Sequence, residues 1–444
     1  MKNKIPPLPQ KTPQEQPEKF GLSSFFKVLV KKRMILAFLM GFSSGMPLLL
    51  TSKTLQAWMV DVQVDLRIIG IFALVGLPYT LKFLWAPFMD LWTPPFLGRR
   101  RGWLLLCQIG VILSIIGIAF SNHKETPWIT AFFALLISFF SASQDIVVDA
   151  YRRETLSDNE LGMGSTLYIY GYRVAMLLAG ALALFLADHI PWTIVYLSMA
   201  VFMVVGIAAT FFAFEPQVNA APPKTLGESV VLPFREFFKR HGAIAILLFI
   251  LLYKFGDNIA GAMTVPFYLK IGFTKTEVAA IAKALGLFST LAGAFAGGAA
   301  ILRLGIFRSL WIFGIMQALS TACFAVLARV GPSNWLLAFV IGYEDFSSGM
   351  GSAALIAYSA SLCNKRFTAT QYALLSSLTG VPRAIFATTT GYLAESLGWT
   401  WFFISCALFA IPGLLLLLYI KPRDQEIPGN PVILNTKKGG AIRS

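Results

Sequence analysis

The chain has 444 residues, of which 56% are hydrophobic and only 13% charged, about half the charged share of an ordinary soluble domain. That balance excludes a water-soluble globular fold, a disordered chain and a collagen; four scattered cysteines, none in a CxxC pair, exclude a disulfide framework and a thiolate metal site. A polytopic α-helical membrane protein remains, and in that class the net charge of +15 reports topology rather than binding to nucleic acid.

The first 33 residues hold eight Lys or Arg and five Pro. They are too long and polar for a signal peptide, so residues 1–33 are expected to form a cytoplasmic tail. Twelve apolar runs long enough to cross a bilayer follow: spans 1 to 12 at 34–60, 67–90, 103–121, 127–149, 164–187, 192–214, 243–270, 276–301, 309–329, 333–361, 371–394 and 399–420. The separators are short except for 215–242, a cytoplasmic central loop containing Pro216, Pro222, Pro223 and Pro233. It divides the chain into an N-terminal six-helix bundle (34–214) and a C-terminal six-helix bundle (243–420), with a cytoplasmic tail at 421–444. With the N-terminus inside, 26 of the 37 Lys and Arg fall in cytoplasmic segments and 5 in external ones. Excess Lys and Arg mark the cytoplasmic side, so both termini are expected there.

The halves echo each other. Leu186-Ala187-Asp188 to Trp192 closes span 5 and Leu393-Ala394-Glu395 to Trp399 closes span 11, sharing the pattern L-A-acid-x-x-x-W. Arg173 and Arg383 lie in spans 5 and 11, Lys82 and Lys283 in spans 2 and 8, and Asp145 and Glu344-Asp345 in spans 4 and 10. Parallel repeats of this kind mark a two-bundle secondary transporter.

Ten ionisable residues fall inside spans: Lys53, Lys82, Asp145, Arg173, Lys254, Asp257, Lys283, Glu344, Asp345 and Arg383. Each opposes insertion by roughly 2.5–3.5 kcal/mol at the centre of a helix, so most must face a watery cavity or one another. Lys53 and Lys283 are expected near the outer interface, and Lys254 and Asp257, three residues apart, can neutralise each other. Lys53, Lys82, Gln144, Arg173, Lys254 and Arg383 are the candidate substrate-binding residues, because cations suit a solute with several carboxylates or phosphates and Arg holds a carboxylate bidentately. Asp145, Asp257, Glu344 and Asp345 are the candidate proton carriers, with Asp145 first and Arg173 its expected partner. Gly41-x-x-x-Gly45 and Gly293-x-x-x-Gly297 read as helix-packing motifs. Trp58, Tyr168 and Tyr172 read as packing or interface residues before sugar platforms. An enzyme is excluded on chemistry: His123, His189 and His241 have no metal-ligand spacing, and no Gly-rich phosphate loop or G-x-S-x-G turn occurs. No cofactor is expected beyond a proton gradient as energy source.

Asp90 followed by Gly98-Arg99-Arg100-Arg101-Gly102 resembles the major facilitator superfamily signature between spans 2 and 3. The resemblance implies a cytoplasmic gate of Asp90, Arg99, Arg100, Arg101, Asp149, Arg152 and Arg153, with Asp90 pairing to Arg152 or Arg153. A narrower resemblance runs over both halves. Ser141-Ala142-Ser143-Gln144-Asp145 to Tyr151 is similar to the span-4 signature of the AmpG-type muropeptide permeases, as are Gly41 to Trp58, Lys82 to Gly102, Tyr253 to Asp257 and Leu362 to Leu375. It implies a monomeric permease of the bacterial inner membrane that imports 1,6-anhydromuramyl peptides by proton symport for peptidoglycan recycling, and in some bacteria supplies inducers of β-lactamase. A related permease for another anionic solute, acetyl-CoA-like or a siderophore, is the alternative. Some members carry two further C-terminal helices, where this sequence continues from Lys421 as a polar tail.

Overall fold

The computed structural model describes residues 30–158, 160–217, 225–240, 242–278, 281, 285–386 and 390–420, without the side chains of 66, 67, 70, 73, 226, 275, 276 and 380–386. Most of the tail at 1–33, all of 421–444, and Lys283 lie outside the described residues, as does the Arg383 side chain. The described chain is helical throughout its predicted spans, as hydrocarbon requires: each backbone N–H and C=O must be satisfied within its own segment. Nine helical segments among the described residues are long and apolar enough to cross a bilayer. The other predicted spans, 2, 10 and 11, are also helical but carry the prolines, glycines and charges that lower their apolarity. Large apolar side chains such as Phe120, Phe212, Phe288 and Trp335 are exposed, whereas Ser43, Ser44, Gln108 and Gln144 are buried. Such a surface suits lipid.

Several helices run past their predicted limits on the face that carries Arg99–Arg101, Arg152 and Arg153, called the basic face below. Span 3 begins at Arg99 (Arg99–Phe120) and span 4 continues to Thr155 (Pro127–Thr155). The apolar run ends earlier because these turns are protein-lined and their charges are paired.

Three spans are broken where the sequence has Gly, Pro or Ser. Span 1 stops at Leu50 and restarts as Lys53–Asp61; at the break the Thr51 hydroxyl donates to the carbonyls of Pro47 and Leu48, and the Ser52 hydroxyl to that of Leu48. Span 2 is a chain of short helices from Leu66–Ile71 to Ala86–Leu91, with Lys82 at a break. Span 7 divides into Ala243–Leu252 and Phe255–Lys270, with Lys254 at the junction. Between spans 11 and 12, Gly398 (φ 69°) turns the chain in the left-handed region.

Spans 1 to 6 pack mainly among themselves, as do spans 7 to 12; the halves meet where span 5 touches spans 8 and 10 and where span 11 touches spans 2 and 4. Several crossings are close enough to need glycine. A Cβ on Gly171 would lie 1.9 Å from the Phe38 carbonyl oxygen, and one on Gly45 2.3 Å from that of Tyr172. A Cβ on Gly293 would likewise lie 1.9 Å from the Phe346 carbonyl oxygen. Backbone cannot yield as a side chain can, so Gly171→Val is expected to destabilise the protein by more than the ~1–3 kcal/mol usual for overpacking. Thermal unfolding in detergent checks this against Gly76→Ala, whose Cβ would meet nothing within 4 Å; equal melting temperatures would refute the tight crossing.

The expected central loop contains a helix, Leu226–Phe238, whose N-cap Thr225 accepts from the Glu228 N–H at 3.1 Å. The T-x-x-E spacing of a capping box was its sequence signal.

Candidate functional site

On the basic face the two bundles are joined by buried charges. Arg100, fully buried at the start of span 3, donates to Asp90 at 2.8 Å and to Glu154 of span 4 at 2.6 Å. Arg99 reaches Glu154 at 3.3 Å. Asp90 then crosses to the other bundle: its carboxylate accepts from the Thr370 N–H and hydroxyl, both at 2.8 Å, and from the Ala369 N–H at 3.3 Å. These donors lie in the first turn of Thr368–Phe386, where free amides and the helix dipole favour an anion. The expected pairing of Asp90 with Arg152 or Arg153 is therefore corrected. Asp90 is committed to Arg100, ten residues on, because the bend between spans 2 and 3 folds span 3 back beside it.

Arg152 and Arg153 make separate cross-bundle contacts. Arg152 donates to Asp149 at 2.8 Å, one turn back, and to the Tyr372 hydroxyl at 3.0 Å, with its guanidinium 4.6 Å from the Tyr168 ring centre. Arg153 binds Asp158 at 2.6 Å and donates to the carbonyls of Ser361 and Cys363 at 3.4 Å, closing off the end of span 10. Arg101 does not cross; it donates to the last carbonyls of span 6, at Thr210 and Phe211. Glu215 accepts from the Arg100 and Arg101 N–H groups at 2.8 and 3.1 Å and so caps span 3.

The central helix overlies this junction. The Asn364 side-chain amide donates to Glu236, Gln371 Nε2 donates to the Pro233 carbonyl at 3.2 Å, and Arg240 donates to the Leu362 carbonyl. Nearby, outside the spans, burial raises the Glu160 carboxyl, but its hydrogen bond from Lys31 at 2.8 Å holds it below the usual value.

Deeper in the N-terminal bundle, adjacent residues of span 4 face different ways, about 100° apart on a helix. Gln144 is fully buried and donates to Ser43 at 3.0 Å and Ser44 at 3.4 Å. It holds span 4 to span 1. Asp145 is buried, and its Oδ1 has no hydrogen-bond partner among the described residues. Asp145 and Arg173 make no ion pair within 4 Å among the described residues, so the expected Asp145–Arg173 pair is not formed.

In the C-terminal bundle the charges are largely engaged. Lys254 donates to the Ser348 carbonyl and hydroxyl and to the Ser352 hydroxyl at 2.9–3.1 Å, and lies 3.6 Å from Asp257. That arrangement leaves its three donors little capacity for a solute. Glu344 accepts from Ser320 at 2.6 Å, and Asp345 from Thr290 at 3.3 Å. Lys53 is exposed at the start of its helix. Trp58 is buried against His123, Trp192 and Tyr196, with ring centres 3.9–5.7 Å apart, so it packs.

Glu154, Glu215, Thr370 and Tyr372 are partners the sequence did not single out. Thr370 and Tyr372 lie inside the Leu362–Leu375 segment that carries the family resemblance, which was the available signal.

The fold agrees with comparisons to known proteins. Residues 33–387 match the Major Facilitator Superfamily. The chain is 43% identical over 399 residues to the anhydromuropeptide permease of Escherichia coli (strain K12), covering 89% of this chain and 81% of that protein. It is 36% identical to "Putative transporter AmpG 4" of Rickettsia conorii, covering 89% and 98%. Among solved structures it resembles the major facilitator proton:xylose symporter XylE, with a TM-score of 0.67 and 10% identity over 90% of this chain and 96% of that one; that likeness concerns the fold. The chain is a multi-pass transporter with the twelve-helix, two-bundle fold of the major facilitator superfamily and belongs to that superfamily's AmpG-type muropeptide permeases.

Proposed function

We propose that the protein imports 1,6-anhydromuramyl peptides from periplasm to cytoplasm across the bacterial inner membrane, driven by the proton gradient, for peptidoglycan recycling. The observation that carries the substrate reading is the 43% identity to the E. coli permease over 89% of this chain. Direction follows from topology: the basic face holds the Lys and Arg excess and is assigned to the cytoplasm, with both termini there. Alternating access is supported by the state of the mouth on that face. The Asp90–Arg100–Glu154 cluster and the Thr370 contact close it, while Asp145 and Arg173 lie deeper with no ion pair within 4 Å among the described residues. A closed basic face is what this reading expects of an outward-facing carrier.

Purified protein in proteoliposomes tests the reading. With acid outside, labelled anhydromuropeptide is expected to accumulate in the lumen and to leak out on addition of a protonophore. Uptake of a CoA thioester or a ferric siderophore, with none of the muropeptide, would replace the substrate; accumulation insensitive to pH would remove the coupling ion.

A further inference from the structure

We propose that Arg173 and Asp345 form the ion pair that closes the external mouth when the basic face opens. The proposal rests on the alternating-access reading above.

Spans 5 and 8 run side by side in opposite directions, and their contacts form a zipper that starts at the basic face. A Cβ on Gly162 would meet the Ile301 side chain at 2.6 Å, and one on Gly298 the Thr166 hydroxyl at 2.2 Å. Next come the bond from the Thr166 hydroxyl to the Ala294 carbonyl at 2.8 Å and that from the Tyr170 hydroxyl to the Leu291 carbonyl at 2.7 Å. The hydrogen bonds that described residues make across the bundles end at this layer.

Arg173 lies three residues beyond Tyr170, just short of a full turn and so on the same side of span 5. The Asp345 carboxylate lies against the matching stretch of span 8: Thr290 donates to its Oδ1 at 3.3 Å, and a Cβ on Gly286 would stand 2.5 Å from its Oδ2. A cation from one bundle and an anion from the other therefore occupy the first layer past the zipper. They make no ion pair within 4 Å.

Among the described residues the neighbouring charges are otherwise engaged. Lys254 is held by Ser348, Ser352 and Asp257, and Glu344 accepts from Ser320. Arg173 has no hydrogen-bond or ion-pair partner among the described residues, and Asp345 has only a neutral hydroxyl. The absence of a side chain at Gly286 leaves the carboxylate room against span 8. When the zipper opens and the bundles rock about the Tyr170–Leu291 layer, the side beyond it closes. Arg173 and Asp345 then move together, and their pairing on the external side takes the place of the pairing that the basic face gives up.

The test uses a thiol that reports the inner mouth. Cys363 is fully buried at the end of span 10, where Arg153 of the other bundle donates to its carbonyl. Opening that mouth withdraws Arg153 and exposes the thiol. The full-length protein is treated with a maleimide on the cytoplasmic face, and Cys363 modification is read by mass spectrometry. Arg173→Ala and Asp345→Asn are each expected to slow it by at least about tenfold, since each removes a pair that stabilises the inward-facing state. The exchange of charges, Arg173→Asp with Asp345→Arg, is expected to restore most of the wild-type rate. Unfolding would speed the labelling of a buried thiol rather than slow it, so a folding defect gives the opposite sign. Single variants that label at the wild-type rate, or an exchange no faster than the single variants, would overturn the pair. The readout needs no substrate, so failure of the muropeptide assignment leaves it intact; a wild-type Cys363 that never labels removes alternating access and the pair together.

Discussion

Asp145→Asn is expected to reduce proton-driven accumulation to the level of simple equilibration while leaving substrate exchange between equal pH values within a few-fold of wild type. Asp145 is the carboxylate in the interior of the N-terminal bundle, and its Oδ1 lacks a hydrogen-bond partner among the described residues. A buried carboxylate without full pairing is costly when ionised and gains by taking a proton. Lys82 sits at a break in span 2. Span 2 also carries Asp90 and leans on span 11, so opening the basic face moves Lys82 relative to span 4. The proton affinity of Asp145 is thereby tied to the conformational cycle. Asn keeps the shape and one acceptor but stays neutral at every pH, so the carrier still cycles with substrate and no longer couples to protons. Counterflow and pH-driven uptake in the same vesicles separate these two outcomes. Continued accumulation by Asp145→Asn would move the coupling site to Asp257, Glu344 or Asp345, of which Glu344 is the next to test.

Asp90→Ala is expected to open the basic face. Asp90 and Arg100 are both fully buried, and removing one partner of such a pair costs about 3–5 kcal/mol because the other charge is left uncompensated. Part of that loss falls on the inward-closed state alone, since Asp90 also accepts from Thr370 and Ala369 across the bundles. About 1.4 kcal/mol on that state shifts the conformational ratio tenfold. Cys363 labelling should therefore rise by at least about tenfold, the opposite direction from the Arg173 and Asp345 variants. Thr370→Val, which removes only the hydroxyl contact, should give a smaller rise. A labelling rate unchanged in Asp90→Ala would mean that the mouth is held by the Arg152 and Arg153 contacts alone.

The fold class was legible in the sequence because bilayer solvation acts on composition directly. Long apolar runs, a charged share of 13% and the basic bias of alternate loops need no tertiary information. The same physics made the charged residues inside spans stand out as functional candidates, and the family resemblance located the gate in Asp90 to Arg101 and Asp149 to Arg153. Those residues do gather at one mouth.

Which charge meets which was decided by the tertiary structure. A sequence shows that Asp90 and Arg152 lie on the same side of the membrane, but not that the bend after span 2 delivers Arg100 to Asp90 first. It shows Gln144 beside Asp145, but not which of two directions about 100° apart points into the bundle. It shows Arg173 on the helix after Asp145, and hence a plausible partner, but span 5 is rotated by backbone contacts at Gly41, Gly45 and Gly171. Those crossings fix the rotation of span 5, and Arg173 makes no ion pair with Asp145 among the described residues. Hydrophobicity selects the segments that enter the membrane and is indifferent to rotation about their axes. Rotation is set by close packing of glycine faces and by the need of each buried charge for a partner, and both depend on helices far apart in the chain.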